Sequence, residues 1–213
     1  MDSARRDNKE RVRQQLLEER GELSKARQQR AAREVCRRLS DWGPAEEADA
    51  VAGYLPFDNE VDVTDFLDRK LEGGAEVGLP RVEDDERMHF VPVESLRAVE
   101  EGAFGILEPT GASVAVAQFD FFLVPGVGFD RGGRRIGMGW GYYDRILAER
   151  AAADAGRPRF VGVCHDFQLV DGEIPVEAHD VRMDAVVTPG ELIASTNPSD
   201  DERSNQRHSQ HDG

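Results

Sequence analysis

Lysine is scarce in this chain. Among 213 residues only Lys9, Lys25 and Lys70 are lysine; the other basic residues are arginine, and 27 bases face 42 acids for a net charge of −15. Neutralising nucleic-acid phosphates requires a basic face, so this balance excludes nucleic acid as the main partner. A small anion held by a local arginine cluster stays possible. Cysteine is equally rare. Cys36 and Cys164 have no metal-like partner at short spacing, and two free thiols in a reducing compartment are expected. No apolar run is long enough to span a bilayer. The opening Met1-Asp-Ser-Ala-Arg-Arg lacks the apolar core of a signal peptide, so a cytoplasmic protein without membrane contact is expected. No Gly-Lys-Ser/Thr follows the glycines, which excludes a P-loop, and the dinucleotide fingerprint is missing too. No Ser-His-Asp pattern offers a covalent nucleophile. Acid-rich, lysine-poor surfaces stay soluble in concentrated salt by self-repulsion, which points to a halophilic cell. An ordinary acidic cytosolic protein is the alternative.

What the chain does hold is one dense stretch. Phe119–Val124 is an apolar run that reads as a buried strand, ended by Pro125 and Gly126. Then come Gly128, Gly132, Gly133, Gly137, Gly139 and Gly141, interleaved with Arg131, Arg134 and Arg135. A helix pattern starts near Tyr142 and runs to about Ala153. Strand, glycine-rich loop and helix together present backbone N–H donors and a positive dipole end to phosphate. Arg134 and Arg135 add charge that reaches phosphate oxygens bidentately. A flexible turn is the plainer account of such glycines.

Around this stretch the chain alternates helices and strands. Residues 1–8 are polar and read as a frayed end. Lys9 to about Glu19 fits a helix with Val12, Leu16 and Leu17 on one face. Gly21 breaks it, and Ser24 can cap a second helix reaching about Leu39, with Ala31, Val35 and Leu39 inward. Trp42-Gly43-Pro44 reads as a turn. Ala48–Leu55, Ala75–Leu79, Arg87–Val93 and Arg159–Cys164 read as strands, with Met183–Thr188 as the last one. Met88 and Phe90 share a face, either in the core or beside a ligand. Val63–Leu71 reads as a helix. This alternation predicts an α/β fold: a three-layer sandwich with a mainly parallel, Rossmann-like central sheet and a helical N-terminus. One domain over 1–190 and a disordered acidic, polar tail over 191–213 are expected. His179, His208 and His211 carry no assigned role.

The central stretch resembles the signature of the 5-formyltetrahydrofolate cyclo-ligase family. That signature reads P-G-x-x-F-D-x-x-G-x-R-[LI]-G-x-G-x-G-Y-Y-D, and every fixed position is present from Pro125 to Asp144. The resemblance covers most of residues 9–188. It implies ATP-dependent cyclisation of 5-formyltetrahydrofolate to 5,10-methenyltetrahydrofolate, with ADP and phosphate released. It assigns Arg135 and Lys9 to catalysis. It places Lys9, Arg13, Arg135, Ile136, Gly137, Met138, Gly139, Trp140, Gly141, Tyr142 and Tyr143 at ATP. It places Leu55, Glu60, Met138, Gly139, Trp140, Gly141 and Tyr142 at the folate. It makes Asp144 and Asp180 ligands of Mg2+. The partners implied are these small molecules alone, on a monomer.

For several of these residues the pattern itself leaves a second reading open. Lys9 and Arg13, four apart on one helix face, are otherwise two solvated charges. Glu60 is otherwise a charge partner at a helix N-terminus. One of Tyr142 and Tyr143 can be helix packing. Phe104 to Pro109 matches the family's G-I-x-E-P segment without a derivable role. The chain departs from the family pattern at Val63, where Thr is common, and at Met138 and Trp140, which stand where basic or small residues are usual. Two further functions therefore stay in view: a folate- or nucleotide-binding protein without turnover, and an ATP-dependent ligase acting on a related pterin-like substrate.

Overall fold

A computed structural model gives the fold and describes residues 2–83, 87–102, 107–153, 158–175 and 180–195. Phe104 to Ile106, His179 with the segment before it, part of the acidic loop at 84–86 and the tail from 196 onward lie outside the described residues.

In chain order the elements are α1 (Asp2–Gly21), α2 (Lys25–Ser40), α3 (Gly43–Glu46), β1 (Ala50–Ala52), α4 (Thr64–Glu72), β2 (Glu76–Glu83) and β3 (Arg87–Val93). Then follow β4 (Val99–Glu101), β5 (Leu107–Pro109), β6 (Phe121–Pro125), β7 (Gly128–Phe129), β8 (Arg135–Ile136) and α5 (Tyr142–Ala152). Last are β9 (Arg159–Val163), β10 (Ala185–Val187) and β11 (Leu192–Ala194). Ser24 caps α2 as its hydroxyl predicts, accepting from the Arg27 amide at 3.4 Å.

Four expectations need correction. The first helix starts at Asp2 instead of fraying to residue 8, because no Gly or Pro interrupts the run before Gly21. Trp42-Gly43-Pro44 opens a short helix, with Pro44 in its first turn where a missing N–H costs nothing. The glycine-rich stretch is not one loop, since β7 and β8 pair antiparallel inside it. Nor is β10 the last strand: Leu192–Ala194 pairs antiparallel with it, so the sheet runs past the expected boundary at residue 190.

Seven strands form the main sheet in the order β11-β10-β9-β6-β1-β2-β3. β2, β1, β6, β9 and β10 run parallel to their neighbours, and the two edge strands are antiparallel. In β6 the side chains alternate between two cores. Phe121 and Leu123 join Val35, Leu39, Phe66 and Leu67 under α2 and α4; Phe122 and Val124 join Ile146 and Leu147 of α5. The sheet is thus covered on both faces, as a parallel sheet requires. A third cluster docks α1: Leu16 packs on Val127, Ile136 and Ile174.

The chain moves outward from β1 in one direction through β2 and β3. It then returns and moves the other way through β6, β9 and β10. β1 and β6 are therefore the switch point, and open α/β sheets collect ligands beyond the carboxyl ends of such strands.

Candidate active site

A cleft open to solvent lies at that switch point. The segment after β1 supplies Tyr54, Leu55, Phe57 and Glu60, and the end of β6 supplies Pro125 and Gly126. Pro80, Val82 and Met88 from the β2–β3 hairpin and Glu108 from β5 add a mostly apolar wall. Arg135, the run Gly137 to Tyr143 and Asp144 complete the lining.

The motif between Pro125 and Asp144 splits into a part that folds and a part that faces the cleft. Asp130 belongs to the first part and is fully buried. Its Oδ1 accepts from the amides of Gly132 and Arg134, each at 2.9 Å. Its Oδ2 accepts from the Ile174 amide at 2.8 Å and from Arg134 Nη1 at 3.1 Å. Arg134 also meets Glu173 at 3.1 Å, so it is spent on the hairpin and not on a ligand as expected. Gly133 has φ +76°, and its carbonyl accepts from the Met183 amide at 2.8 Å; an added Cβ there would collide with Met183 backbone. Buried Gln168 donates to the carbonyls of Gly126 (3.1 Å) and Val127 (2.7 Å), which pins the start of the motif.

The second part presents charge. Arg135 is almost fully buried at its side chain, donates to the Pro125 carbonyl at 3.3 Å and pairs closely with Asp144. Its guanidinium lies 5.6 Å from the Tyr143 ring centre. Tyr143 is partly buried, with its hydroxyl enclosed and without a hydrogen-bond partner, and burial holds that hydroxyl far above the usual phenol range. Gly141 opens α5 at φ +70° and provides no side-chain cap, so the first amides of the helix are left to another acceptor. Trp140 is half exposed, its ring centre 6.2 Å from that of Tyr142, and Arg145 stacks on Tyr142 at 5.3 Å.

Expected site residues thus fall into two groups. Leu55, Glu60, Arg135, Gly137, Met138, Gly139, Trp140, Gly141, Tyr142, Tyr143 and Asp144 line one cleft. Lys9, Arg13, Ile136 and Asp180 do not line it. Ile136 turns its side chain into the α1 core. Arg13 sits behind the glycine run, donating from Nε to the Gly137 carbonyl at 2.8 Å, and Lys9 lies 3.8 Å from Asp180. Magnesium asks for one or two carboxylates plus phosphates and water. Asp144 fits that role beside the cleft, and no cluster of three acid, His or Cys side chains suited to a metal occurs among the described residues. The donor set therefore suits an ion that arrives with the nucleotide.

The sequence reading missed Arg20, Glu108 and the folding role of Asp130. The signal for Arg20 was present: it falls at i+4 from Leu16, inside the stripe that packs inward.

Glu60 is partly buried beside Arg20, whose Nη1 is 3.8 Å from Oε1, while Oε2 accepts from the Phe57 amide at 3.2 Å. Burial outweighs both and pushes its carboxyl from 4.5 up to about 7. Because the folded value lies above the unfolded one, this group favours folding at low pH, and that contribution is lost as pH rises through about 7. Glu60→Gln removes the titration. Denaturant melts of both proteins should show the variant gaining about 2 kcal/mol on the wild type between pH 5 and pH 8. A gap that does not change with pH would refute this reading.

Comparison with known proteins agrees with the geometry. The model of the 5-formyltetrahydrofolate cyclo-ligase family matches residues 5–189. The 5-formyltetrahydrofolate cyclo-ligase of Mycolicibacterium smegmatis is 38% identical over 149 residues, covering 65% of this chain and 73% of that protein. That of Escherichia coli K12 is 29% identical over 182 residues, covering 83% of this chain and 98% of the relative. The NMR structure of the Aquifex aeolicus 5,10-methenyltetrahydrofolate synthetase superposes with a TM-score of 0.75 at 34% identity, covering 89% of this chain and 93% of that one. With a family match over residues 5–189 of 213, the chain belongs to the 5-formyltetrahydrofolate cyclo-ligase family.

Proposed function

We propose that the chain cyclises 5-formyltetrahydrofolate to 5,10-methenyltetrahydrofolate at the expense of ATP, releasing ADP and phosphate. One observation carries the reading: a single cleft at the switch point holds an apolar wall with a partly buried carboxylate and, next to it, a nearly buried arginine with an uncapped helix end. A pterin is flat and mostly apolar, with donors on its edge. A triphosphate needs backbone amides and fixed positive charge.

The formyl oxygen attacks the γ-phosphorus and ADP leaves. The neighbouring folate amine then attacks the activated formyl carbon, phosphate departs and the amine loses its proton. Phosphoryl transfer calls for positioning and charge neutralisation, not a protein nucleophile. Arg135 supplies neutralisation at the cleft wall, and its contacts with Pro125 and Asp144 fix its direction. Gly137, Gly139 and Gly141 let backbone approach the phosphates closely. Arg13 braces that run from behind through the Gly137 carbonyl. Lys9 serves the nucleotide from α1. Glu60 recognises donors on the pterin edge, Leu55, Met138 and Tyr142 pack on the ring, and Trp140 shields the mouth. Magnesium bound with ATP neutralises phosphate charge; Asp144 would hold it, with Asp180 as the second carboxylate.

No helix among the described residues is long and apolar enough to cross a membrane. The reading extends to a monomeric enzyme with one catalytic domain, whose acidic surface suits concentrated salt.

The test is direct. Purified protein with 5-formyltetrahydrofolate, ATP and Mg2+ should develop methenyl absorbance, with one ADP per product. No rise without ATP is expected. Tight folate binding with no absorbance change in the complete mixture would instead select a binding protein.

A further inference from the structure

Arg20 is the least explained charge in the molecule. It is 1% exposed, though arginine is seldom fully buried without pairing. It does not line the cleft. Its Nη2 donates to Asp58 at 3.0 Å, and Nη1 faces Glu60 at 3.8 Å, short of hydrogen-bond contact. Nε and Nη1 have no hydrogen-bond partner. Burying a guanidinium with two donors unused is costly, so a structural role alone accounts poorly for it.

The segment it faces is held open by unusual backbone. Asp58 and Asn59 have φ of +48° and +59°, a region that L residues seldom enter. Three contacts hold them there. Asn59 Nδ2 donates to the Arg20 carbonyl at 3.2 Å, the Asn59 carbonyl lies 2.9 Å from His165 Nε2, and Asp58 takes the Arg20 guanidinium. The result places Glu60 in the cleft with one oxygen on the Phe57 amide and the other towards Arg20.

We propose that Arg20 is the positioning residue for Glu60: from behind the cleft wall it holds the corner's backbone and keeps the carboxyl group aimed at the folate ring. The proposal rests on the cyclo-ligase reading and adds a residue to it. Arg20 touches no ligand; it acts through Glu60. Other ionisable groups facing Glu60 are Asp58 on the same corner, which opposes a negative charge there, and the phenols of Tyr54 beyond β1 and Tyr143 of α5, which burial and Glu60 itself hold in the neutral form. Near the corner, His165 after β9 is held neutral, chiefly by burial. Arg20 is the cation that favours the charged form of Glu60, against the larger effect of burial.

Arg20→Met keeps the length and removes the charge. The expected result is a KM for 5-formyltetrahydrofolate raised about tenfold or more, with KM for ATP within about twofold and kcat little changed, since ground-state recognition is what is lost. The acid limb of kcat/KM for the folate should move up by about one pH unit, because a carboxylate without its cation protonates earlier. Arg20→Lys should restore most of both. In a Glu60→Gln background Arg20→Met should add little. Equal losses for both substrates, an unmoved pH limb, or full multiplication of the two losses would each overturn the proposal. If Arg20→Met does not fold, Arg20→Lys read in the same Glu60 cycle decides instead, with coupling supporting the role and full multiplication overturning it. Direct titration of 5-formyltetrahydrofolate without ATP separates this from the activity itself. Wild type that binds but never turns over sinks the enzyme reading alone; Arg20 variants that bind as wild type does sink the Arg20 role alone.

Discussion

Arg135→Ala is expected to lower kcat by about 10³-fold, as removal of a transition-state arginine does in phosphoryl transfer. The loss should fall mainly on kcat, because charge on the transferring group grows beyond that of bound ATP. The side chain is nearly buried and anchored to Pro125 and Asp144, so no other cation is poised to replace it from the cleft lining. Folding should survive. The partner left behind, Asp144, is about a third exposed and can be solvated by water. Arg135→Lys should recover part of the rate, since it restores charge without the two-pronged geometry. Circular dichroism and thermal melts alongside steady-state kinetics check both halves. A variant with near wild-type kcat would remove the glycine-rich segment from the chemistry.

The second large effect is on stability. Asp130→Ala should cost about 2–4 kcal/mol, because it removes the acceptor from two part-buried backbone amides and from the buried Ile174 amide, and one of the two carboxylates that Arg134 meets. Asp130→Asn should recover little, since its amide group would point donors at donors. Urea unfolding gives the number directly. A loss under about 1 kcal/mol would mean that water or a shifted hairpin replaces the carboxylate. Activity should fall in step with the folded fraction and not beyond it, which distinguishes this residue from Arg135.

These two neighbours in sequence show what a reading from residues alone could and could not reach. The motif's density marked the site, and the β6-to-α5 layout followed from apolar runs and glycine. The division of labour inside the motif did not follow. Arg134 and Arg135 are identical in type, yet Arg134 closes the turn between β7 and β8 on Asp130 while Arg135 opens β8 and faces the cleft. The boundary between turn and strand decides that, and it was invisible while the segment read as loop. The β1 and β6 switch point was similarly hidden, because strand order is a matter of long-range pairing. Glu108 reached the cleft through β5, a three-residue strand too short to announce itself by periodicity. By contrast α2 was fully legible: its cap, its buried stripe of Ala31, Val35 and Leu39 and its end all sit where local rules put them.

Helix α1 carries Lys9, Arg13, Leu16 and Arg20 at steps of four, three and four residues, which is one continuous edge of the cylinder. From first to last they span about 16 Å of axis. The same rod thus touches the glycine run through Arg13 and the carboxylate corner through Arg20, while Leu16 bolts it to the hairpin between them. It works as a ruler. Each added or lost residue between Arg13 and Arg20 turns the far marks by about 100°. The spacing of this helix is therefore fixed by two walls of the cleft at once, the glycine run and the carboxylate corner.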